Sequence, residues 1–272
     1  MSTILDRIFS DKKDEVDSAK RNTPLTELKG RIRQEPAPRN VKTCLRAYPP
    51  SRIIAEIKLR TPFKGVLRDD LDPVDIAKIY AAHGAATLSI LTENKYFGGS
   101  LDIFCRVRQN AHLPLLRKDF IFSEYQVYES RAFGADWFLL IATWLDKNQL
   151  GDLLALGREM GLPALVETHD ERDLEKALTA QAEIVGINNR DLTCGKTDLG
   201  IARRLIPMAR QADPNLILVC ESGIHGRPEI RELESLGAHA FLIGESLMTA
   251  KDIPAKLTDL LGRDPDDRFG VA

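Results

Sequence analysis

The chain has 272 residues, 43% of them hydrophobic and 29% charged, with a formal net charge of -2 and a pI near 6.2. That length allows one large domain or two small ones, and near-balanced charge with only 6% aromatic residues speaks against a nucleic-acid surface. The longest apolar runs, such as Trp137 to Ala142, are too short to span a membrane, and Ser2 to Arg7 lacks a signal core, so a cytoplasmic protein with no membrane partner is expected.

Residues 1–48 differ in pattern from the remainder of the chain. Ile4, Ile8 and Val16, then Leu25, Leu28 and Ile32, recur at helical spacing among many charges and predict two amphipathic helices, the second entered through Thr23-Pro24. Glu35-Pro36-Ala37-Pro38-Arg39 ends the second helix and begins a linker. From Arg52 a unit repeats in architecture: a short apolar run, a turn, then a segment of helical period. Strands are expected at 52–57, 87–91, 114–117, 136–141, 163–166, 184–187, 216–220 and 240–243. Helices fill the gaps at roughly 73–83, 101–111, 123–133, 146–160, 170–179, 198–211, 226–235 and 252–261. Several strands are almost wholly apolar, as in a parallel sheet covered on both faces, and Gly84, Gly134, Gly161 and Gly237 fall where left-handed helix ends are wanted.

Eight such units fit a (β/α)8 TIM barrel of the α/β class with an N-terminal helical extension. One domain is expected over 1–272: the extension at 1–48, the barrel at 49–262 and a polar tail at 263–272, with no second catalytic domain. A doubly wound sheet is the alternative, but its Gly-rich first turn, GxGxxG, is missing. The four cysteines, Cys44, Cys105, Cys194 and Cys220, are scattered without ligand spacing, which suggests neither disulfides nor a metal site.

The active site of a (β/α)8 barrel lies at the C-terminal strand ends. Those ends carry Glu56 and Lys58, Arg117-Lys118-Asp119, Glu167, Asn188-Asn189-Arg190-Asp191, Glu221-Ser222-Gly223 and Gly244-Glu245-Ser246. Alternation along a strand places Glu56 and Lys58 with Ile54, Lys118 with Leu116, Glu167 with Leu165 and Glu221 with Val219, so three carboxylates and two ammoniums converge on one mouth. Taken singly, each is a solvated strand end; together they suit general acid–base chemistry. Ser222-Gly223-Ile224 opens the helix after strand seven and Gly244-Glu245-Ser246 the segment after strand eight, the usual place for a phosphate in this fold, with Thr61 as a further hydroxyl donor. Glycines needed only for tight turns are the competing explanation. The five histidines lack ligand spacing and are expected at surfaces or caps, with His169 alone near the mouth. Phe97 and Phe120 lie on the catalytic side and can wall an aromatic substrate.

Ile54-Ala55-Glu56-Ile57-Lys58, Leu91-Thr92-Glu93 with Tyr96-Phe97-Gly98-Gly99-Ser100, Leu116-Arg117-Lys118-Asp119-Phe120-Ile121, Gly186-Ile187-Asn188-Asn189-Arg190-Asp191-Leu192 and Glu221-Ser222-Gly223-Ile224 together resemble the indole-3-glycerol phosphate synthases, in order along the whole chain. The resemblance implies a cofactor-free lyase of tryptophan biosynthesis that acts on a small phosphorylated substrate, as a monomer or weak homodimer. It implies Lys118 as the acid of ring closure, Lys58 and Glu167 as acid and base of the later steps, Glu56 as the group that orients the lysines, and Asn188 and Glu221 on substrate hydroxyls or the cationic intermediate. Arg190 would pair with the anthranilate carboxylate, with Leu192 beside it, and Thr61, Ser222, Gly223, Gly244 and the backbone of Glu245 would hold the phosphate. The family commonly reads Arg-x-Ser-Pro-Ser-Lys-Gly after the first lysine, whereas this chain has Leu59-Arg60-Thr61-Pro62-Phe63-Lys64-Gly65, so Leu59 and Phe63 put turnover or substrate affinity in question. The competing readings are another phosphosugar barrel enzyme, such as phosphoribosylanthranilate isomerase, a Schiff-base aldolase using Lys118 or Lys58, or a non-catalytic relative that binds a phosphorylated ligand.

Overall fold

The computed structural model describes residues 4–47, 52–191 and 193–263. Eight parallel strands close into one barrel: β1 (Arg52–Ile57), β2 (Thr87–Leu91), β3 (Leu115–Lys118), β4 (Trp137–Ile141), β5 (Ala164–Thr168), β6 (Ile184–Asn188), β7 (Ile217–Glu221) and β8 (Ala240–Ile243). Closure excludes the doubly wound alternative. Even-numbered Ile54, Leu116, Ile184, Leu242 and their neighbours fill the barrel interior, while Ile53, Ala55, Ile57 and Leu115 pack outward against helices. A side-chain period of two divides the strands between these two cores, except that β2 turns the polar Thr87 and Ser89 to the interior.

The helical layer comprises α4 (Pro73–Ala82), α5 (Leu101–Asn110), α6 (Glu124–Ala132), α7 (Lys147–Glu159), α8 (Glu171–Thr179), α9 (Gly200–Ala212), α10 (Arg227–Leu236), a short α11 (Glu245–Met248) and α12 (Ile253–Leu261). They are preceded by α1 (Ile4–Asn22), α2 (Leu25–Ile32) and α3 (Val41–Arg46). Val16 of α1 and Leu28 of α2 are buried against Tyr125 and Ala132 of α6, which seats the extension on the barrel. Among the described residues no helix is long and apolar enough to cross a membrane.

Two expectations need correction, and a short ribbon adds to the expected elements. The linker after Pro38 contains α3, capped by Asn40, whose side chain accepts from Thr43 N at 3.2 Å. Its Val41 and Leu45, four residues apart on one face, join the barrel-interior cluster, and the flanking prolines hid that short pair. Ser222 to Ile224 form a loop rather than the first turn of a helix, since α10 begins only at Arg227. Arg60–Thr61 and Gly65–Val66 pair as a small antiparallel ribbon over the mouth, closed by Gly65 at φ 73°. The glycines at 84, 134, 161 and 237 all have positive φ, as their places after helices required. Of the polar tail, only Arg263 lies within the described residues.

Candidate active site

Several strands run one or two residues further than their apolar runs. Lys118, Asn188 and Glu221 close their strands and Glu167 is the penultimate residue of its own, so all four are fixed by the ladder rather than by loops. Register does the rest: Glu56 pairs with Ser89, Lys118 with Leu91, Glu167 with Ile141, and Asn188 with Glu221.

Lys118 is the centre. Its Nζ lies 2.9 Å from Glu167 Oε2 and 3.2 Å from Glu221 Oε2. Beside it Lys58 Nζ donates to Glu56 Oε1 at 2.6 Å, and Ser89 Oγ reaches Glu56 Oε2 at 3.5 Å. Burial works against charge on each of these groups, and the partners decide the outcome. Burial alone would lower the Lys118 pKa, yet Glu167, Glu221 and Glu56 drive it well above the ordinary lysine value. Glu167 is pulled below the usual carboxylate range, because Lys118 and then His169 overcome its burial. Glu221 goes the other way, raised by burial that Lys118 does not offset and further by Glu167. Its Oε1 is buried without a hydrogen-bond partner. That oxygen occupies space a side chain at position 186 would need, since a Cβ on Gly186 would lie 2.2 Å from it. Glu56 is lowered, with Lys58 and Lys118 outweighing burial.

These groups floor an apolar chamber walled by Phe97, Phe120, Leu139 and Ile141, with Ile4 and Ile8 of α1 reaching in. Phe97 and Phe120 have centroids 6.0 Å apart, and Trp144 stacks on Phe120 at 5.0 Å. A second, polar recess opens from the chamber and is lined by Lys58, Lys64, Arg190, Lys196, Ser222, Gly223, Gly244 and Glu245. Ser222 and Gly223 both have positive φ, 65° and 74°, and a non-glycine residue there marks a backbone held against its preference. Arg190 donates to Gly195 O at 2.8 Å and to Glu245 Oε2 at 3.1 Å, and Lys64 also pairs with Glu245.

The structure therefore gathers Glu56, Lys58, Lys118, Glu167, Asn188, Glu221, Phe97 and Phe120 around one chamber and Ser222, Gly223, Gly244 and Glu245 around its recess. Arg190 lines both. Thr61 lines the chamber but not the recess, and its Oγ1 accepts from Phe63 N at 3.3 Å and Lys64 N at 3.0 Å, serving a turn. Leu192 lies outside the described residues. Arg117 points outward and bonds Glu129 at 2.7 Å. Residues that sequence reasoning did not bring to the site include Lys64, Lys196, Trp144 and the α1 residues Ile4 and Ile8. Glu93 was missed as well; its carboxylate accepts from the backbone N–H groups of Lys95, Tyr96 and Phe97 and so shapes the aromatic wall. Among the described residues no cluster of three or more His, Cys, Asp or Glu is placed to hold a metal ion.

A family model described as indole-3-glycerol phosphate synthase matches residues 5–260. Curated proteins of that name are similar over nearly the full length of both chains. The one from Dehalococcoides mccartyi is 44% identical over 261 residues, covering 95% of this chain and 100% of its own. That from Roseiflexus sp. is 43% identical over 268 residues, covering 96% and 99%. Among solved structures, thiamine phosphate pyrophosphorylase from Pyrococcus furiosus superposes with a TM-score of 0.60 at 14% identity, covering 82% of this chain and 96% of its own, a likeness of fold alone.

Proposed function

The chain belongs to the indole-3-glycerol phosphate synthase family, and from that premise we propose how its ring of charges divides the reaction. The protein is a carboxy-lyase of tryptophan biosynthesis that converts 1-(o-carboxyphenylamino)-1-deoxyribulose 5-phosphate to indole-3-glycerol phosphate, carbon dioxide and water.

The observation that carries the assignment of roles is the Lys118 ammonium between Glu167 and Glu221 at the bottom of an apolar chamber. The aromatic ring of the substrate rests against Phe97 and Phe120 with its carboxylate toward Arg190, which lines both cavities, and the phosphate occupies the recess between the Ser222-Gly223 and Gly244-Glu245 backbones, where Lys64 and Lys196 supply positive charge. Ring closure joins the carboxylate-bearing ring carbon to the ketone carbon. Lys118 gives its proton to the ketone oxygen as the carbon–oxygen double bond opens. Carbon dioxide then leaves, and its bonding electrons restore the aromatic ring. In the last step Lys58, oriented by Glu56 at 2.6 Å, protonates the departing hydroxyl, and the ionised Glu167 removes the neighbouring carbon-bound proton. Asn188 and Glu221 hold substrate hydroxyls, Glu221 through the Oε1 that lacks a partner.

The test is fluorescence-detected formation of indole-3-glycerol phosphate with Lys118→Ala as the comparison. A fall in kcat of about 10²- to 10⁴-fold is expected, the usual worth of one positioned proton donor. Full activity in Lys118→Ala would defeat this assignment of roles. Borohydride treatment in the presence of substrate is expected to trap no adduct on Lys118 or Lys58, which separates this chemistry from an aldolase.

A further inference from the structure

His169 lies two residues beyond Glu167, past the end of β5, with its side chain 15% exposed. Its two ring nitrogens face oxygen on opposite sides. Nδ1 lies 3.2 Å from Thr143 Oγ1, in the loop after β4, and 3.7 Å from Asp173 Oδ2 on α8. Nε2 lies 3.4 Å from Glu167 Oε1, close enough for charge to act but without a hydrogen bond to it or to any other group.

The hydrogen inventory fixes the state of the ring. Thr143 has one hydroxyl hydrogen, and it is donated to Asp173 Oδ2. The Asp173 carboxyl is held below the ordinary aspartate value despite its burial, through bonds from His169 and Thr143, so it has no hydrogen to return. Thr143 Oγ1 is therefore left only to accept from Nδ1. On the other side the ionised Glu167 can also only accept. A neutral imidazole carries one N–H and would set a lone pair toward an oxygen on one side or the other, whereas an imidazolium turns an N–H toward Thr143 and positive charge toward Glu167. The charged surroundings agree. Glu167 and Asp173 touch the ring and Glu221 faces it from β7, while the cations Lys118 and Lys176 pair with those carboxylates, at 2.9 Å and 3.9 Å, rather than with the ring. Burial lowers the affinity of the ring for its second proton, but Asp173 and Glu167 together raise it above the ordinary histidine value.

We infer that His169 is a positioning residue for the reaction: an imidazolium seated on Thr143 and Asp173 whose charge faces Oε1 of Glu167 and keeps that carboxylate ionised, with Oε2 against Lys118. This rests on the reading of Glu167 as the proton-accepting base. The consequence is that both oxygens of Glu167 face cations, Lys118 in direct contact and an imidazolium that titrates. As pH rises through the pKa of His169 the second charge is lost, and Glu167 is freed to swing on its Lys118 bond. Glu221 titrates in the same region, so a rate profile alone does not isolate the imidazole.

The ring is read directly by 15N-resolved NMR of the histidine side chains, with the signal assigned by its loss in His169→Gln. In the wild type both ring nitrogens are expected to carry protons at about pH 6.5, with a midpoint above the ordinary value of about 6.5 that falls below it in Glu167→Gln. His169→Gln keeps a neutral donor and is expected to lower kcat about tenfold at pH 6.5, with KM within about twofold. Added to Glu167→Gln it should lower kcat no further, because its action passes through that carboxylate. A neutral ring in the wild type at pH 6.5, or full kcat in His169→Gln while Glu167→Gln is inactive, overturns the inference and leaves the role of Glu167 standing. Full kcat in Glu167→Gln overturns the reading beneath it. Should His169→Gln fail to fold, the titrations of wild type and Glu167→Gln decide the matter alone.

Discussion

Lys12→Met probes how the N-terminal extension is wired to the catalytic strand. Lys12 of α1 and Asp119, the residue after Lys118, form a pair at 2.9 Å with side chains only 2% and 1% exposed. Asp119 also accepts from Thr92 Oγ1 at 2.6 Å, Phe120 N at 2.8 Å and Arg117 Nη2 at 3.2 Å. Burial would raise its pKa, yet Lys12 first and Arg117 second bring it from 3.8 down to about 2. That lowering corresponds to roughly 2–3 kcal/mol of linked stability. Unpairing a buried charge completely costs about 3–5 kcal/mol, but Asp119 keeps three donors, so we expect about 2 kcal/mol for Lys12→Met at pH 7.

The pH dependence gives the sharper check. A carboxyl whose folded pKa is depressed contributes stability above its unfolded pKa and loses it as pH falls through the folded one. The cost of Lys12→Met should therefore be complete at neutral pH and shrink between about pH 4 and pH 2, as Asp119 takes up its proton. Urea unfolding followed by tryptophan fluorescence at pH 7 and pH 3 measures both quantities. Adding Asp119→Asn should recover at least half of the loss, because the uncompensated charge is then gone. A cost under about 0.5 kcal/mol at pH 7, or one equal at the two pH values, would refute the reasoning.

Two further outcomes are set by the geometry. Gly186→Ala would place a methyl group 2.2 Å from Glu221 Oε1 and 3.2 Å from Leu165 Cδ1, so Glu221 must move; steady-state assays should show kcat reduced about 100-fold, with stability lower by about 1–3 kcal/mol in urea. Phe63, 43% exposed, rests on Gly195, where a Cβ would lie 2.8 Å from its ring; Phe63→Ser should alter kcat or KM several-fold, and unchanged constants would show that this contact across the mouth has no part in turnover.

The parts of the fold that obey a period were legible in the chain. Alternation assigned Ile54, Leu116, Leu165 and Val219 to the barrel interior, and thereby pointed Glu56, Lys58, Lys118, Glu167 and Glu221 at one mouth. What was not legible depends on partners far apart in sequence. Lys12 reads as one more charge on a solvated helix face, because nothing local reveals Asp119 across the barrel mouth. Asn40 to Leu45 reads as a loop because only two apolar residues mark its buried face. His169 had a usable signal, the same two-residue spacing from a strand-end carboxylate that links Glu56 to Lys58, but Thr143 and Asp173, which fix its protonation, come from other units.

The two carboxylates on Lys118 look equivalent in sequence and are not equivalent in the barrel. Glu167 is met by Lys118, His169 and the Asn188 side chain, and each of these favours its charged form. Glu221 has Lys118 as its cation, at a longer distance, with Glu167 working against its charge and its Oε1 unpartnered in the space that Gly186 leaves open. Two buried carboxylates sharing one ammonium do not both ionise when one proton is available, and the proton goes to the less supported of the two. In the reaction proposed above, Glu221, raised by burial and further by Glu167, is the protonated partner of a substrate oxygen, while Glu167, held below the usual carboxylate range against its burial by Lys118, is the acceptor. On that reading Lys118 has one full counter-charge in direct contact instead of two, and the proposed mechanism has it turn its third hydrogen to the ketone. The proposed division of labour among base, donor and acid thus rests on a missing side chain at position 186 and a cation at position 169 as much as on the three charged residues themselves.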